Sequence, residues 1–237
     1  MDDLECFMTN PPPTPTRPLL GLTVLIVEDS RYASEAMRML CLRSGARIRR
    51  ADSLASARKH LRVYRPTAVI VDMGLPDGSG AELIAELSSV APRVGVIIAT
   101  SGDPATEPTA LAAGADGFLE KPVVTLTAFQ EAILAHLPEE NQPPGPRLVN
   151  TDEITPDPIA LQDDLAHIED VIAHGADGNT RAYLTQFMSS IAHSANDEPL
   201  ARKADGLLSG SSKPPSAYDV SALLSSLRTR LDLHAVM

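Results

Sequence analysis

Three short apolar runs, LTVLIV at 22–27, AVIVD at 68–72 and VGVIIAT at 94–100, are each followed by a polar break and then by a segment of helical period. Runs this short and continuous fit strands buried on both faces, the condition of a parallel sheet, and parallel strands need crossover connections. The first half of the chain is thereby constrained to an α/β fold. ARIRR at 46–50 adds a polar edge strand and GFLE at 117–120 a short fifth one. The expected architecture is a five-stranded parallel sheet with helices on both faces.

The intervening segments supply those helices. RYASEAMRMLCLRS repeats apolar positions at Ala33, Ala36, Met37 and Leu40, and Gly45 offers its stop. SLASARKHLRVY, AELIAELSSV and TLTAFQEAILAHL behave alike, the last with Thr125 as N-cap. TALAAG reads as a short helix or turn, because Pro104 and Pro108 restrict what precedes it.

Composition divides the rest. Residues 1–20 contain NPPPTPTRP and read as a disordered arm, so the α/β unit is expected over 21–138. Residues 139–157, proline-rich and polar, read as a linker. From 158 to 237 the pattern is helical throughout. Ile159, Leu165, Ile168, Val171 and Ile172 lie near one face, and Tyr183, Leu184, Phe187, Met188 and Ile191 line the next helix. PLARKADGLLSG and AYDVSALLSSLRTRLDLHAV follow. A helical unit this small is inclined to dock on a neighbour or to form a homodimer.

With 31 acidic residues against 20 basic ones the formal charge is −11, and from 151 to 237 there are 13 acidic and 6 basic residues. That balance counts against a DNA-binding output, although it leaves room for a local basic patch. Cys6 and Cys41 share no C-x-x-C spacing and no histidine pair, so neither a zinc site nor a disulfide framework is expected. MDDLECFMTN lacks the features of a signal peptide, and no run approaches the ~20 apolar residues of a membrane span. A cytoplasmic protein is expected.

In open parallel sheets, ligands bind beyond the carboxyl ends of the strands, so these ends are read as a set. They carry Glu28 and Asp29, then Asp72, then Thr100, then Glu120 and Lys121. Three carboxylates brought together repel one another unless a cation is present, and hard oxygen ligands favour Mg²⁺, here on Glu28, Asp29 and Asp72. The chemistry implied is phosphoryl transfer to Asp72, with Lys121 pairing one phosphoryl oxygen and Thr100 bonding another. Asp72, at the mouth of the loop GLPDGSG, is expected to stand open to a phosphodonor.

Taken together and in order, these residues resemble the response-regulator receiver domain (CheY-like) of two-component signalling over about residues 20–138. The resemblance extends to LPDGSG, with Pro76 and Gly80 at the family's offsets, and to AGADGFLEKP. It implies a flavodoxin-like fold, a cis bond between Lys121 and Pro122, and a switch in which Thr100 and Phe118 move on phosphorylation. It implies a histidine kinase or histidine phosphotransfer protein as donor and a downstream protein target. The prolines of DPATEP, where the family begins its fourth helix, imply that this helix is short or displaced.

Competing readings are weaker. A dinucleotide site would need a glycine cradle after the first strand, where EDSRYAS stands, and an aspartyl phosphatase would need a DxD pattern that VEDSR does not supply. Glu28 and Asp29 taken alone would suit a helix N-terminus. HSANDEPLA faintly resembles a phospho-accepting histidine box without its lysine-glycine pattern, making His193 a speculative phosphate carrier or else a helix-surface or interface histidine, as are His167 and His174. The output of the helical unit stays open between protein binding or dimerisation, an enzymatic or phosphotransfer module, and DNA binding.

Overall fold

The computed structural model describes residues 12–145, 153–209 and 214–234. The first eleven residues of the expected arm, and 146–152 within the expected linker, lie outside the described residues.

Strands β1 (Thr23–Val27), β2 (Arg47–Ala51), β3 (Ala68–Asp72), β6 (Val96–Ser101) and β7 (Gly117–Glu120) form one parallel sheet in the order β2-β1-β3-β6-β7. A minimal antiparallel pair, β4 (Gly74–Leu75) and β5 (Gly78–Ser79), follows β3. Helices α1 (Arg31–Ser44), α2 (Leu54–Val63), α3 (Gly80–Ser89) and α4 (Glu107–Ala113) make the crossovers, and α5 (Leu126–Leu134) closes the unit after β7.

Strand alternation divides the core into two layers. Val24 and Ile26 of β1 pack with Met37 and Leu40 of α1 and Phe129 and Ile133 of α5. Leu25 and Val27 face the opposite way, onto Leu54 and Ala57 of α2 and Leu83 and Ile84 of α3. The polar β2 lies at the sheet edge, where one exposed face is tolerated. Gly45 ends α1 in the left-handed conformation, its N–H returning to Cys41 and Leu42 carbonyls.

Two details depart from expectation. Thr125 precedes α5 but makes no side-chain capping bond. Leu19, within the expected arm, is fully buried in the first core layer, because its N–H bonds Ser44 and its side chain fills the space beside α1. Downstream, Ile154 also enters that layer and its N–H bonds Val124.

The second half forms α6 (Pro158–Ala173), α7 (Gly178–Ser194), α8 (Glu198–Ser209) and α9 (Ala217–His234). Their third core joins Leu165 and Ile168 of α6, Phe187, Met188 and Ile191 of α7, Ala201 and Ala204 of α8 and Leu223 of α9. Tyr32 of α1 packs against the same cluster, so the helical unit docks on its own α/β unit. Among the described residues no helix is long and apolar enough to cross a membrane.

Candidate phosphoacceptor site

The parallel register brings the strand ends together. Asp72, last in β3, pairs with Thr100 of β6; Glu28 and Asp29 follow the neighbouring β1 directly. Oxygens of Glu28, Asp29 and Asp72 lie within 4.8 Å of one another. Lys121, just beyond β7 and followed by a cis bond to Pro122, places Nζ 2.7 Å from Glu28 Oε2 and 2.9 Å from Asp72 Oδ2. All three of these side chains are buried.

One ammonium faces three carboxylates. Burial, and then the charge of Asp72, pushes Asp29 up to about 7. Glu28 is held well above the usual carboxylate range, again chiefly by burial. Burial would lower Lys121, but the charges of Asp72 and Glu28 overcome it and hold the ammonium above its ordinary value. When ionised, the three carboxylates outweigh the one ammonium, and Asp29 Oδ1 is buried without a hydrogen-bond partner among the described residues. An all-oxygen donor set with a vacant lone pair of this kind fits a hard divalent cation such as Mg²⁺.

The surrounding loop is built for close approach. A Cβ on Gly80 would stand 2.0 Å from the Asp72 carbonyl oxygen, so only glycine fits as α3 begins. Pro76 is exposed at the turn between β4 and β5, and beside it Asp77 accepts the N–H groups of Leu54 and Ala55 at 2.8 and 2.9 Å, closing the N-terminus of α2. Thr100 donates its hydroxyl to the Leu119 carbonyl at 2.8 Å, next in sequence to Phe118, which packs half-buried on the second core layer.

Asp72 does not stand open. It is only 3 % exposed, because α7 lies across the mouth of the site. Tyr183 donates its hydroxyl to Asp29 Oδ2 at 2.7 Å, and Lys121 Nζ donates to Ser190 Oγ at 2.7 Å. Gln186 rests against Gly74 and the His193 ring against Gly102. From α6, the buried Asp164 accepts from Ser30 Oγ at 2.8 Å and from the N–H groups of Arg31 and Tyr32 at 2.8 and 3.1 Å. These contacts were not anticipated. Their one signal was a polar stripe at 183, 186, 190 and 193, which marks a face without naming what it rests on.

None of the three histidines bonds the acceptor carboxylates. His193 Nε2 lies 3.2 Å from Asp205 Oδ2, while Ser189 Oγ donates to Asp205 Oδ1 at 2.5 Å. His167 meets the Phe187 ring edge-on, and exposed His174 bonds the Asp170 carbonyl.

A parallel five-stranded α/β unit with this acidic cluster has the build of a receiver, and the sequence comparisons agree: the model of the response regulator receiver domain matches residues 24–133. The chain is similar to the KDP operon transcriptional regulatory protein KdpE of Escherichia coli (strain K12), 32% identical over 42% of this chain and 44% of that protein. It is also similar to response regulator MprA of Mycobacterium sp. (strain KMS), 30% identical over 60% of this chain and 63% of that protein. The chain therefore spans about half the length of the curated relatives it matches. Among solved structures, the CheY-like receiver domain from Methylobacillus flagellatus aligns with 28% identity and a TM-score of 0.43, over 47% of this chain and 98% of that one. Receiver similarity over 24–133 and the acidic cluster together support a phosphorylation-based role for this half of the chain.

Proposed function

We propose that Asp72 accepts a phosphoryl group from a phosphohistidine on a histidine kinase or histidine phosphotransfer protein, and that the helical unit carries the output to a protein partner. The observation that carries this reading is the buried Lys121 ammonium bonded to Asp72 beside the Glu28–Asp29 pair. In the transfer, a carboxylate oxygen of Asp72 attacks phosphorus, the bond from phosphorus to the donor nitrogen breaks, and the imidazole leaves with the electron pair.

Glu28, Asp29 and Asp72 would hold Mg²⁺, which supplies charge neutralisation to the phosphoryl oxygens. Lys121 pairs with one phosphoryl oxygen. Thr100 turns its hydroxyl from the Leu119 carbonyl to another, which frees the strand end next to Phe118 and lets that ring repack. Pro76, Gly80 and Pro122 shape the loops around the acceptor. Own-site hydrolysis of the acyl phosphate returns the switch to rest.

Labelling by a phosphohistidine donor in the presence of Mg²⁺ tests the assignment. The full chain should acquire a hydroxylamine-sensitive phosphoryl group, and Asp72→Asn should abolish it. Undiminished labelling of that variant would place the acceptor elsewhere.

A further inference from the structure

We propose that α7 is a lid on the phosphoacceptor site, in which Ser190 occupies the phosphoryl-oxygen position on Lys121 and Tyr183 latches the helix to Asp29. The proposal rests on the reading of Asp72 as the acceptor.

The argument starts from the ammonium. A lysine has three N–H donors and no more. Lys121 Nζ donates to Asp72 Oδ2 at 2.9 Å and to Ser190 Oγ at 2.7 Å, and its remaining side is ion-paired with Glu28 Oε2 at 2.7 Å without hydrogen-bond geometry. Two partners belong to the site itself, and the third comes from α7. A phosphoryl oxygen arriving on Asp72 needs one of these donors, and the serine hydroxyl is the partner whose loss leaves the carboxylate pairing intact. The docked lid and the loaded site therefore compete for the same proton.

The docking is specific along the helix. Positions 183, 186, 190 and 193 recur at spacings of three and four, one face of α7, and each touches a different wall of the site. Gln186 lies flat on Gly74, where an added Cβ would stand 2.3 Å from its Nε2. The cavity left between Asp72, Gly74, Gln186 and Ser190 is about 110 Å³. Asp72 is only 3 % exposed beneath it, so its acceptor oxygen is not reached by an imidazole presented on another protein. While α7 is docked, a phosphohistidine donor is shut out; once a phosphoryl group is in place, Ser190 is displaced and the lid is pushed off.

Locking the lid tests this directly. Gly74→Cys with Gln186→Cys places two thiols across the contact, since a Cβ on Gly74 would lie 3.3 Å from Gln186 Cγ, close to disulfide reach. In the full chain with Cys6→Ser, beryllium fluoride with Mg²⁺ serves as the phosphoryl mimic and ¹⁹F NMR reports the bound form. The oxidised protein should bind about tenfold or more weakly than the same protein reduced, the penalty of a competent state made rare. Ser190→Ala with the lid free should bind about three- to tenfold more tightly than wild type, an effect that a merely structural serine would not produce. Equal binding by the oxidised and reduced forms overturns the lid alone. Absence of bound fluoride in every form, wild type included, removes the acceptor reading and the lid with it.

Discussion

Tyr183 and Asp29, 154 residues apart in the chain, are joined by a 2.7 Å hydrogen bond in which the phenol donates. Burial, and then the negative charge of Asp29, hold the Tyr183 hydroxyl above its ordinary value, so the proton stays on the tyrosine and the polarity of the bond is fixed. A residue of the helical half is thus tied to one of the carboxylates at the centre of the other half. The acidic cluster, the docking of the helices and the stability of the whole chain are physically linked.

The first consequence is a pH-dependent effect of Mg²⁺. Asp29, pushed up to about 7 by burial and by Asp72, lies above its unfolded value of ~3.9. The folded state then binds more protons than the unfolded one. Its stabilising contribution is complete below about pH 4 and is lost as pH rises through about 7. Glu28 acts with the same sign. Without a cation, stability should fall over that window, whereas the increment from Mg²⁺ should grow. At a hundredfold excess over Kd the increment is ~2.7 kcal/mol, or roughly 5–10 °C in Tm for a chain of this size. Thermal unfolding at about pH 5.5 and about pH 8, with and without Mg²⁺, measures it; an increment that does not change with pH contradicts the electrostatic account.

Asp164 anchors α6 to α1 through three accepted hydrogen bonds, one from a hydroxyl and two from backbone amides. Asp164→Ala leaves those donors without their partner and should cost about 2–4 kcal/mol, with Asp164→Asn recovering part of it. Urea unfolding gives the values. A loss within about 0.5 kcal/mol for the alanine variant would mean that the helical unit is held by its apolar contacts alone.

Glycines 80 and 206 should respond in opposite directions. Gly80→Ala forces a Cβ to 2.0 Å from the Asp72 carbonyl oxygen and should destabilise by about 3 kcal/mol or more, since backbone must move. Gly206, inside α8, has open space where its Cβ would be, and alanine there should stabilise by up to about 1 kcal/mol. Urea midpoints for both variants decide this. A neutral Gly80→Ala would contradict the close approach that shapes the loop after the acceptor.

Much of the α/β half was legible because its signals are local. LTVLIV, AVIVD and VGVIIAT are apolar without alternation, which fits strands buried on both faces, and the polar residues at their ends converge once the strands are parallel. The shortness of α4 followed from its two prolines, and the cis bond at Pro122 was implied by the receiver resemblance. What escaped was the packing of one half on the other. Tyr183 was counted with the apolar positions of its helix, Gln186 and Ser190 drew no assignment, and His193 was read as a surface or interface histidine, because periodicity distinguishes polar from apolar faces and is silent on whether a polar face meets water or protein. Asp72 was expected to be open for the same reason. Leu19, at the end of a proline-rich stretch, showed no periodicity, and the pairing of Asp164 with Ser30 spans 134 residues.

The most direct measurement of the central claim is chemical. After exposure to a phosphohistidine donor with Mg²⁺, borohydride reduction converts an aspartyl phosphate to homoserine, and peptide sequencing by mass spectrometry locates it. Homoserine at position 72, absent without donor and absent in Asp72→Asn, is the expected result; homoserine at another aspartate, or phosphate retained only on a histidine such as His193, would contradict it.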